Sequence, residues 1–273
     1  MATPIGHARD ITLRALDVLA GADLIACEDT RVTAKLLAIY GIRTTLMAYH
    51  DHNAERARPQ ILQALRADQV VALVSDAGTP LIADPGYRLV REAAASGLPV
   101  TALPGASALL AGLSLSGLPT DRFLFAGFLP ERGAERRRAL AELAGVPATL
   151  VFFESPRRIG AALADALQML GDREAAVGRE LTKKFEEVRR GSLADLARHY
   201  AGEAEPPKGE IVLTIGPPSA DAAASVDAAA IDQALRAALE KSSLKQAVAD
   251  VAAATGAARK LVYARALRLK EDG

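Results

Sequence analysis

The sequence has 273 residues, of which half are apolar and 24% are charged, a balance typical of globular proteins. This length exceeds that of one average domain and is sufficient for two domains. Thirty-three basic residues balance thirty-three acidic ones, which excludes a protein that coats nucleic acid through its overall charge. The single cysteine, Cys27, excludes an intramolecular disulfide and a cysteine-based zinc site. No apolar run reaches membrane-spanning length and no secretory signal opens the chain, so we expect a cytoplasmic protein.

Short apolar runs alternate with helical patterns over residues 1–117, the first predicted domain. Strands are predicted at Asp23–Cys27, Val70–Val74 and Val100–Leu103. Helices are predicted at Thr30–Tyr40, at Arg56–Arg66, at Arg88–Ala95, and beyond Pro104–Ser107. Strand, helix and strand in this order predict a parallel sheet with helices on both faces.

The pattern changes after Gly117–Asp121, which we interpret as a domain boundary. The second predicted domain covers residues 118–218. Its strands are predicted at Phe123–Phe128, Thr149–Phe153, Ala175–Gly178 and Ile211–Ile215, and its helices at Arg137–Leu143 and Ile159–Leu170. This order predicts a mixed sheet with helices, and therefore a second α/β domain.

The last part of the chain, residues 226–273, is predicted to be a small helical unit. A linker runs from Pro217 to Ser225, and three helices follow at Ile231–Leu239, Leu244–Ala254 and Lys260–Leu269, with a break at Thr255-Gly256. Such a unit is similar to helix-turn-helix modules, but three amphipathic helices of this size are common. We do not expect it to read DNA sequence.

Basic residues concentrate in two segments of the otherwise neutral chain. Four arginines lie within Glu131–Arg138, and five basic residues without an acid lie within Gly256–Lys270. Either segment alone is interpreted as a solvated surface rather than a nucleic-acid contact.

Two loops of small residues follow predicted strands of the first domain. They comprise Ser75, Asp76, Ala77, Gly78, Thr79 and Pro80, and then Pro104, Gly105, Ala106 and Ser107. Ligands of open α/β sheets lie beyond the carboxyl ends of the strands, where glycine lets the backbone approach a ligand closely. Neither loop matches the P-loop or the GxGxxG pattern. Each by itself is better interpreted as a tight turn.

Further motifs accompany these loops in a fixed order along the chain. They are Thr3-Pro4-Ile5-Gly6, Glu28-Asp29-Thr30-Arg31, His52-Asn53, Asp84-Pro85-Gly86, Gly127-Phe128-Leu129-Pro130, Phe153-Glu154-Ser155-Pro156, Arg179-Glu180-Leu181-Thr182-Lys183 and Lys208-Gly209-Glu210. With these motifs the chain resembles the tetrapyrrole methylase superfamily over residues 2 to about 216. Within that superfamily it is most similar to the branch that methylates a cytidine 2′-hydroxyl in the decoding region of small-subunit ribosomal RNA.

The resemblance implies two α/β domains of the tetrapyrrole-methylase type, with S-adenosylmethionine bound in the cleft between them, plus a small C-terminal helical unit. It implies small-subunit ribosomal RNA or the small ribosomal subunit as partner, and a homodimer. It places cofactor contacts at Pro4, Gly6, Ser75 to Pro80, Pro104 to Ser107 and Phe153. It places RNA contacts at Arg31, His52, Asn53, Arg157 and Arg158.

A hydroxyl is a poor nucleophile, so a general base within hydrogen-bond reach would assist methyl transfer to it. The candidate catalytic residues are Glu28, Asp29, Glu154 and Lys183, together with His52 and Glu180. The competing interpretations are a structural ion pair for Asp29 with Arg31 and a solvated turn for Glu180 and Lys183. The residue spacing does not select the base. His50 and His52 have no clear third ligand, so we expect no metal.

Two features depart from the resemblance. Only Met1-Ala2 precede the Thr-Pro-Ile-Gly segment, where the family has a hydrophobic strand, and His7-Ala8 replace the usual Asn-Leu. Two alternatives stay open: either the true start lies upstream of Met1, or the chain starts here, the sheet lacks its first strand and the Pro4–Gly6 loop is expected to lose its anchor.

Two other functions compete with the RNA methylase. One is methylation of a tetrapyrrole-like small molecule in the same fold, and the other is non-catalytic nucleic-acid binding through the tail. An enzyme is expected to lose cofactor binding on Gly78→Val or Gly105→Val, whereas a binding module would tolerate both.

Overall fold

The computed structural model describes residues 1–202, 207–218, 231–240, 242–255 and 259–271. The chain divides into two compact units. The first comprises Met1–Ala141 with Ala148–Gly216, and the second comprises Glu142–Pro147 with Pro217–Gly273. The division of the α/β region at residues 117 and 118 stays a prediction.

The first sheet is parallel and lies in the N-terminal half of the first unit. A 3₁₀ turn at Ala8–Asp10 is followed by α1 (Leu13–Gly21), β1 (Leu24–Cys27), α2 (Thr30–Ile39), β2 (Leu46–Ala48), α3 (Ala54–Arg66), β3 (Val71–Val74), α4 (Tyr87–Ala95) and α5 (Ala108–Ser116). The strand order is β2-β1-β3, and both pairings are parallel. Every residue of β1 is buried, as expected for the central strand of a parallel sheet covered by helices.

One predicted strand is wrong. Residues 98–106 are described, and none of them belongs to a strand. The segment meets the chain start through one long hydrogen bond, from the Ala2 amide to the Leu103 carbonyl at 3.4 Å. The apolar pattern at Val100–Leu103 is typical of a buried strand, but a strand forms only where successive residues can pair with a neighbouring strand. Here Thr3 already bonds to Gly78 instead.

The second sheet is mixed, as predicted. Its elements are β4 (Phe123–Phe128), α6 (Gly133–Glu142), β5 (Thr149–Glu154), α7 (Ile159–Leu170), β6 (Glu174–Arg179), β7 (Glu187–Ser192), α8 (Leu193–Ala201) and β8 (Ile211–Ile215). The strand order is β4-β5-β8-β6-β7, in which only the β4–β5 pairing is parallel. Strand β7 was not predicted, because this half-buried edge strand is rich in charged residues.

Helix α5 packs directly on the second sheet. A Cβ atom at Gly112 would lie 2.5 Å from a methyl carbon of Val212 on β8, so only glycine permits this approach. Leu113 of the same helix shares a buried cluster with Ile5, Val212 and Leu181. The chain start, helix α5 and the second sheet therefore share one close-packed region, which includes Ile5, Leu181 and Val212 of the site described below.

The second unit contains the three predicted helices: α9 (residues 231–239), α10 (Leu244–Thr255) and α11 (Arg259–Glu271). They share a small apolar core formed by Ile231, Leu235, Val248, Val251, Val262 and Ala266. Arg265 of the basic segment forms two hydrogen bonds with the Asp232 carboxylate, at 2.7 and 2.6 Å. Most of the predicted linker and Gly256 of the predicted break lie outside the described residues.

The other basic segment is not simply a solvated surface. The Arg136 side chain is 7% exposed, and its Nε donates to Asp165 Oδ2 on α7 at 2.7 Å. Its Nη1 donates to the Glu131 carbonyl at 3.2 Å. The expectation of a solvated face is therefore wrong at Arg136, because its guanidinium is buried in a pair with Asp165 of α7. Within the described ranges no helix is long and apolar enough to cross a membrane.

Candidate active site

The loop after β3 adopts a strained path. Gly78 and Gly86 have φ values of +79° and +130°, and Leu81 and Ala83 have φ values of +73° and +60°. Positive φ is uncommon for residues with a side chain, and such residues persist where the surrounding structure enforces them, often at ligand sites. The sequence predicted a ligand loop here from its glycine and prolines.

The Pro4–Gly6 loop is anchored to this strained loop. Thr3 and Gly78 exchange two backbone hydrogen bonds, at 2.9 and 3.0 Å. The Thr3 hydroxyl also donates to the Ser75 carbonyl at 3.1 Å. The expectation that the loop loses its anchor is therefore wrong, because its partner is the loop after β3 rather than a preceding strand.

The second small-residue loop lies beside the first. The Thr79 hydroxyl donates to the Ala106 carbonyl at 3.2 Å. A Cβ atom at Gly105 would lie 2.9 Å from the Cβ atom of Ala2, closer than side chains pack. Ser107 then caps helix α5 by accepting a hydrogen bond from the Leu110 amide at 3.5 Å.

A cleft of about 260 Å³ opens between these loops and the second sheet. The wall from the first sheet comprises Ile5, Asp76, Ala77, Gly78, Thr79, Ile82, Ala83, Asp84, Ser107 and Ala108. The wall from the second sheet comprises Phe128, Phe153, Glu154, Leu181, Glu210, Ile211 and Val212. Both predicted loops therefore meet at one cleft. Pro4, Gly6, Ser75, Pro80, Pro104, Gly105 and Ala106 shape its surroundings without lining it.

Carboxylates dominate the charge of the first wall. Glu28 is not among the residues that line the cleft; burial, and then the charges of Asp76 and Asp84 in that wall, raise its pKa. Burial also raises the pKa of Asp84. A hydrogen bond from Ser75 lowers this pKa, and the charge of Asp76 raises it further. Asp84 belongs to the Asp84-Pro85-Gly86 motif but was not among the predicted site residues. A cation or a hydrogen-bond donor would be favoured at this wall.

Asp29 and Arg31 form an ion pair, as in the interpretation that competed with a catalytic role for Asp29. Arg31 Nε and Nη2 bond to the Asp29 carboxylate at 3.0 and 2.6 Å. These bonds and that from the Arg31 amide lower the Asp29 pKa to about 2. Asp29 also caps helix α2, and its amide donates to Asp76 Oδ1 at 3.0 Å. Asp29 is thus a weak base, while the Arg31 side chain is 86% exposed.

Lys183 is held between two carboxylates. Its Nζ donates to Glu180 Oε1 at 2.8 Å and to Glu210 Oε2 at 2.9 Å. Burial lowers the Lys183 pKa, but the two carboxylates outweigh it and the pKa is raised. Glu180 and Thr182 of this turn have positive φ values of +51° and +63°. The solvated-turn interpretation is therefore wrong, and Lys183 is protonated and unsuited to accept a proton.

Glu154 is a fully buried carboxylate at the cleft. Its Oε1 accepts a hydrogen bond from the Ser155 amide and pairs with Arg158 Nη2, both at 2.6 Å. Its Oε2 is buried and accepts no hydrogen bond from any described residue. Buried polar atoms are normally paired. Glu154 Oε2 is therefore a buried acceptor without a partner among the described residues.

The remaining RNA candidates differ in what holds them. Asn53 accepts a hydrogen bond from the His50 amide at 2.9 Å and donates to the Ala48 carbonyl at 2.8 Å, so its side chain stabilises the turn before α3. His52 and Arg157 are exposed. Within the described residues no group of three or more histidine, cysteine or acidic side chains could hold a metal.

The fold and the cleft define the class of protein. The family of Tetrapyrrole (Corrin/Porphyrin) Methylases matches residues 2–197. Among solved structures, a cobalt precorrin-4 methyltransferase has a TM-score of 0.58 at 17% identity and covers 79% of this chain and 92% of its own. A diphthine synthase has a TM-score of 0.60 at 17% identity, covering 78% and 87%. These two likenesses show the tetrapyrrole-methylase fold.

Similarity to individual proteins is much higher within one branch of this class. The ribosomal RNA small subunit methyltransferase I of Mesorhizobium japonicum is 53% identical over 99% of this chain and 91% of its own. The protein of the same name from Erythrobacter litoralis is 54% identical, over 99% and 94%. The RsmI C-terminal HTH domain matches residues 225–270. The chain belongs to the ribosomal RNA small subunit methyltransferase I family of tetrapyrrole methylases, and it is an S-adenosylmethionine-dependent methyltransferase.

Proposed function

We propose that this protein transfers a methyl group from S-adenosylmethionine to the 2′-hydroxyl of a cytidine in the decoding region of small-subunit ribosomal RNA. The observation that carries the proposal is similarity at 53–54% identity over nearly the whole chain to proteins named for ribosomal RNA methylation. The similarity includes the tail, so the shared features extend beyond the methylase fold.

The cleft suits the methyl donor in both shape and charge. S-adenosylmethionine is a sulfonium with a positively charged amine, and it supplies an electrophilic methyl group when bound. Asp76 and Asp84 place negative charge on the first wall, whereas Ile5, Phe153 and Val212 give the cleft an apolar lining. Gly78 keeps open the space beside Ile5 that a Cβ atom would fill at 3.3 Å.

The chain's own residues then favour transfer in two ways. Charge on sulfur disappears during the displacement, so the weakly polar walls favour reaction over a water-filled site. Walls fixed by a shared core also hold the acceptor oxygen in line with the methyl carbon, which supplies much of the acceleration. Among the candidate bases, Glu28 has a raised pKa, while Asp29 and protonated Lys183 are the least suited.

We assign the RNA side of the site to exposed arginines. Arg31 is exposed although it is paired with Asp29, and Arg157 is exposed on the turn after β5. A guanidinium binds phosphate through two parallel hydrogen bonds, so both side chains suit an RNA backbone. We also propose that the protein acts in the cytoplasm, as a homodimer, on small-subunit ribosomal RNA or the small ribosomal subunit.

The test is to incubate the protein with radiolabelled S-adenosylmethionine and small ribosomal subunits, and then to map the label by nuclease digestion. A 2′-O-methyl group blocks alkaline cleavage of the adjacent phosphodiester, so label on one alkali-resistant cytidine is the expected result. Gly105→Val is expected to lose both label and cofactor binding, because its side chain would collide with Ala2. Gly145→Val is the matched control, since nothing lies within 4 Å of a Cβ atom there.

Label on a different position or base would overturn the assigned acceptor. Absence of label with a folded protein that binds the cofactor would overturn the ribosomal RNA substrate. Normal cofactor affinity in Gly105→Val would remove the basis for placing the cofactor against this loop.

A further inference from the structure

The helix that follows the strained loop of the first wall begins with an exposed aromatic ring. Tyr87 is the first residue of α4 and is 62% exposed. It lies three residues after Asp84, which lines the cleft. Because three residues span at most about 11 Å even when fully extended, the Cα atom of Tyr87 lies within that distance of the Asp84 Cα atom. The ring is therefore an exposed surface close to the cleft.

The packing of α4 directs this ring into solvent. Leu89 and Ala93 of α4 are buried in a cluster with Ile61 of α3. At 3.6 residues per turn, Tyr87 lies on nearly the opposite side of the helix from Leu89. Gly86 fixes the turn into the helix, since a Cβ atom there would lie 2.9 Å from a methyl carbon of Leu73 on β3. The ring is thus held in place before any ligand arrives, which lowers the entropy lost on binding.

Two exposed arginines accompany the ring. Arg91 Cζ lies 5.5 Å from the centroid of the Tyr87 ring, and Arg88 follows Tyr87 in the same turn. The acidic residue of this helix, Glu92, pairs with Arg58 of α3 at 2.8 Å. Within the part of the chain that the structure describes, neither Arg88 nor Arg91 forms an ion pair. This face of α4 therefore keeps two positive charges that no carboxylate compensates.

An aromatic ring beside uncompensated arginines suits single-stranded RNA. Bases stack on exposed aromatic rings, and guanidinium groups bind phosphates. Arg31 must break its pair with Asp29 to bind a phosphate, whereas Arg88 and Arg91 have no such bond to lose. Two positive charges also favour a polyanion over a second copy of this chain, whose net charge is zero.

We propose that Tyr87, Arg88 and Arg91 form a docking surface for the ribosomal RNA strand beside the acceptor cytidine, in which a flanking base stacks on Tyr87 and the arginines bind phosphates. The inference rests on the proposed function and deepens it, because it names a surface that holds the RNA outside the cleft. None of the three was among the predicted site residues. The surface selects no particular base, since every base has a stacking face and phosphates are the same in every nucleotide.

The first experiment measures the stacking contact with Tyr87→Ala, Tyr87→Phe and Phe123→Ala. Phe123 is 43% exposed at the start of β4, whereas Phe128 at the other end of that strand lines the cleft, so Phe123 is the aromatic control. We expect Tyr87→Ala to raise the KM for the small ribosomal subunit by about fivefold to a hundredfold, the range for loss of one stacked base. Tyr87→Phe keeps the ring and is expected to retain most of the affinity.

The same variants separate docking from chemistry. Tyr87 does not line the cleft, so Tyr87→Ala should leave the S-adenosylmethionine affinity unchanged. The kcat at saturating subunit should also stay at the wild-type value, because the surface holds RNA outside the cleft.

The second experiment measures the phosphate contacts with the double variant Arg88→Ala/Arg91→Ala. Its control, Arg43→Ala/Arg66→Ala, removes the same charge from exposed positions at the opposite edge of the first sheet, since Arg43 precedes β2 and Arg66 ends α3. Filter binding of the small ribosomal subunit is measured between about 50 and 200 mM salt. Each phosphate contact of a single strand contributes about 0.7 to the slope of log Kd against log salt, so the double variant should lower the slope by about 1.4. The control should leave it unchanged.

Each outcome distinguishes this surface from the function on which it rests. A wild-type KM in folded Tyr87→Ala, or an unchanged salt slope in the Arg88→Ala/Arg91→Ala variant, would overturn the docking surface. Loss of a dimer in sedimentation velocity on Tyr87→Ala would assign the surface to a second copy of this chain and also overturn the proposal. If the arginine variant lowers the salt slope of subunit binding but the wild type transfers no methyl group, the proposed function fails while the docking surface stands.

Discussion

Gly6 is the point at which the chain start passes closest to the Lys183 turn. A Cβ atom at Gly6 would lie 2.4 Å from Lys183 Cγ and 2.7 Å from Thr182 Oγ1. Non-bonded carbon atoms settle at about 3.5–4.0 Å, so Gly6→Ala forces one of the two segments to move by roughly 1 Å. Ile5 and Leu181, the neighbours of these two segments, both line the cleft.

The size of the effect follows from this crowding. Adding a methyl group to a packed region costs about 1–3 kcal/mol, offset by about 0.4–1 kcal/mol because alanine restricts the unfolded chain. We expect Gly6→Ala to lower the free energy of unfolding by about 1–2 kcal/mol. A 1 Å shift of Lys183 also takes its Nζ beyond hydrogen-bond distance of Glu180 and Glu210, now 2.8 and 2.9 Å away. With both walls displaced, S-adenosylmethionine affinity should fall about tenfold, or 1.4 kcal/mol.

Urea unfolding and isothermal titration calorimetry with S-adenosylmethionine measure these two effects. Lys183→Ala removes the crowded Cγ atom, so Gly6→Ala should cost at least about 0.5 kcal/mol less in that background than in the wild type. Gly145→Ala is the control, because nothing lies within 4 Å of a Cβ atom there. Wild-type stability and cofactor affinity in Gly6→Ala, or an equal cost in both backgrounds, would refute the crowding argument.

Two further predictions concern ion pairs outside the cleft lining. Asp165→Ala should lower the free energy of unfolding by about 3–5 kcal/mol, because it leaves the buried Arg136 guanidinium without its ion-pair partner. Asp195→Ala, which breaks an exposed ion pair, should lower it by less than about 1 kcal/mol. Equal losses in the two variants, measured by urea unfolding, would contradict this prediction. Arg31→Ala should raise the Asp29 pKa from about 2 toward its ordinary value. Since the folded-state pKa of Asp29 is depressed, the stabilisation that Arg31 gives is present above pH 4 and is lost as the pH falls toward 2. If the NMR titration of the Asp29 carboxyl is unchanged in Arg31→Ala, Arg31 is not the cause of the low pKa.

Much of the secondary structure could be predicted from local patterns. Strand β8 and helix α7 have the predicted bounds, Ile211–Ile215 and Ile159–Leu170, because long apolar patterns report burial directly. Edge strand β7 was missed, since its charged residues carry no such pattern. The apolar run at Val100–Leu103 was misassigned, because whether an apolar segment becomes a strand depends on a partner that lies far away in sequence.

The sequence by itself determined the positions of the two small-residue loops and the resemblance of the chain to the tetrapyrrole methylases. It also determined the similarity to the branch that methylates ribosomal RNA. Glycine and proline at fixed positions constrain local backbone, so such loops can be recognised without the rest of the fold. Only the tertiary structure decided which side chains are available for chemistry. It paired Asp29 with Arg31, enclosed Lys183 between two carboxylates, and left Glu154 Oε2 without a hydrogen-bond partner among the residues that the structure describes. The Asp29–Arg31 pair is local and was one of the interpretations of the sequence, whereas the contact between Lys183 and Glu210 joins residues far apart in the chain, and local residue spacing contains no record of it.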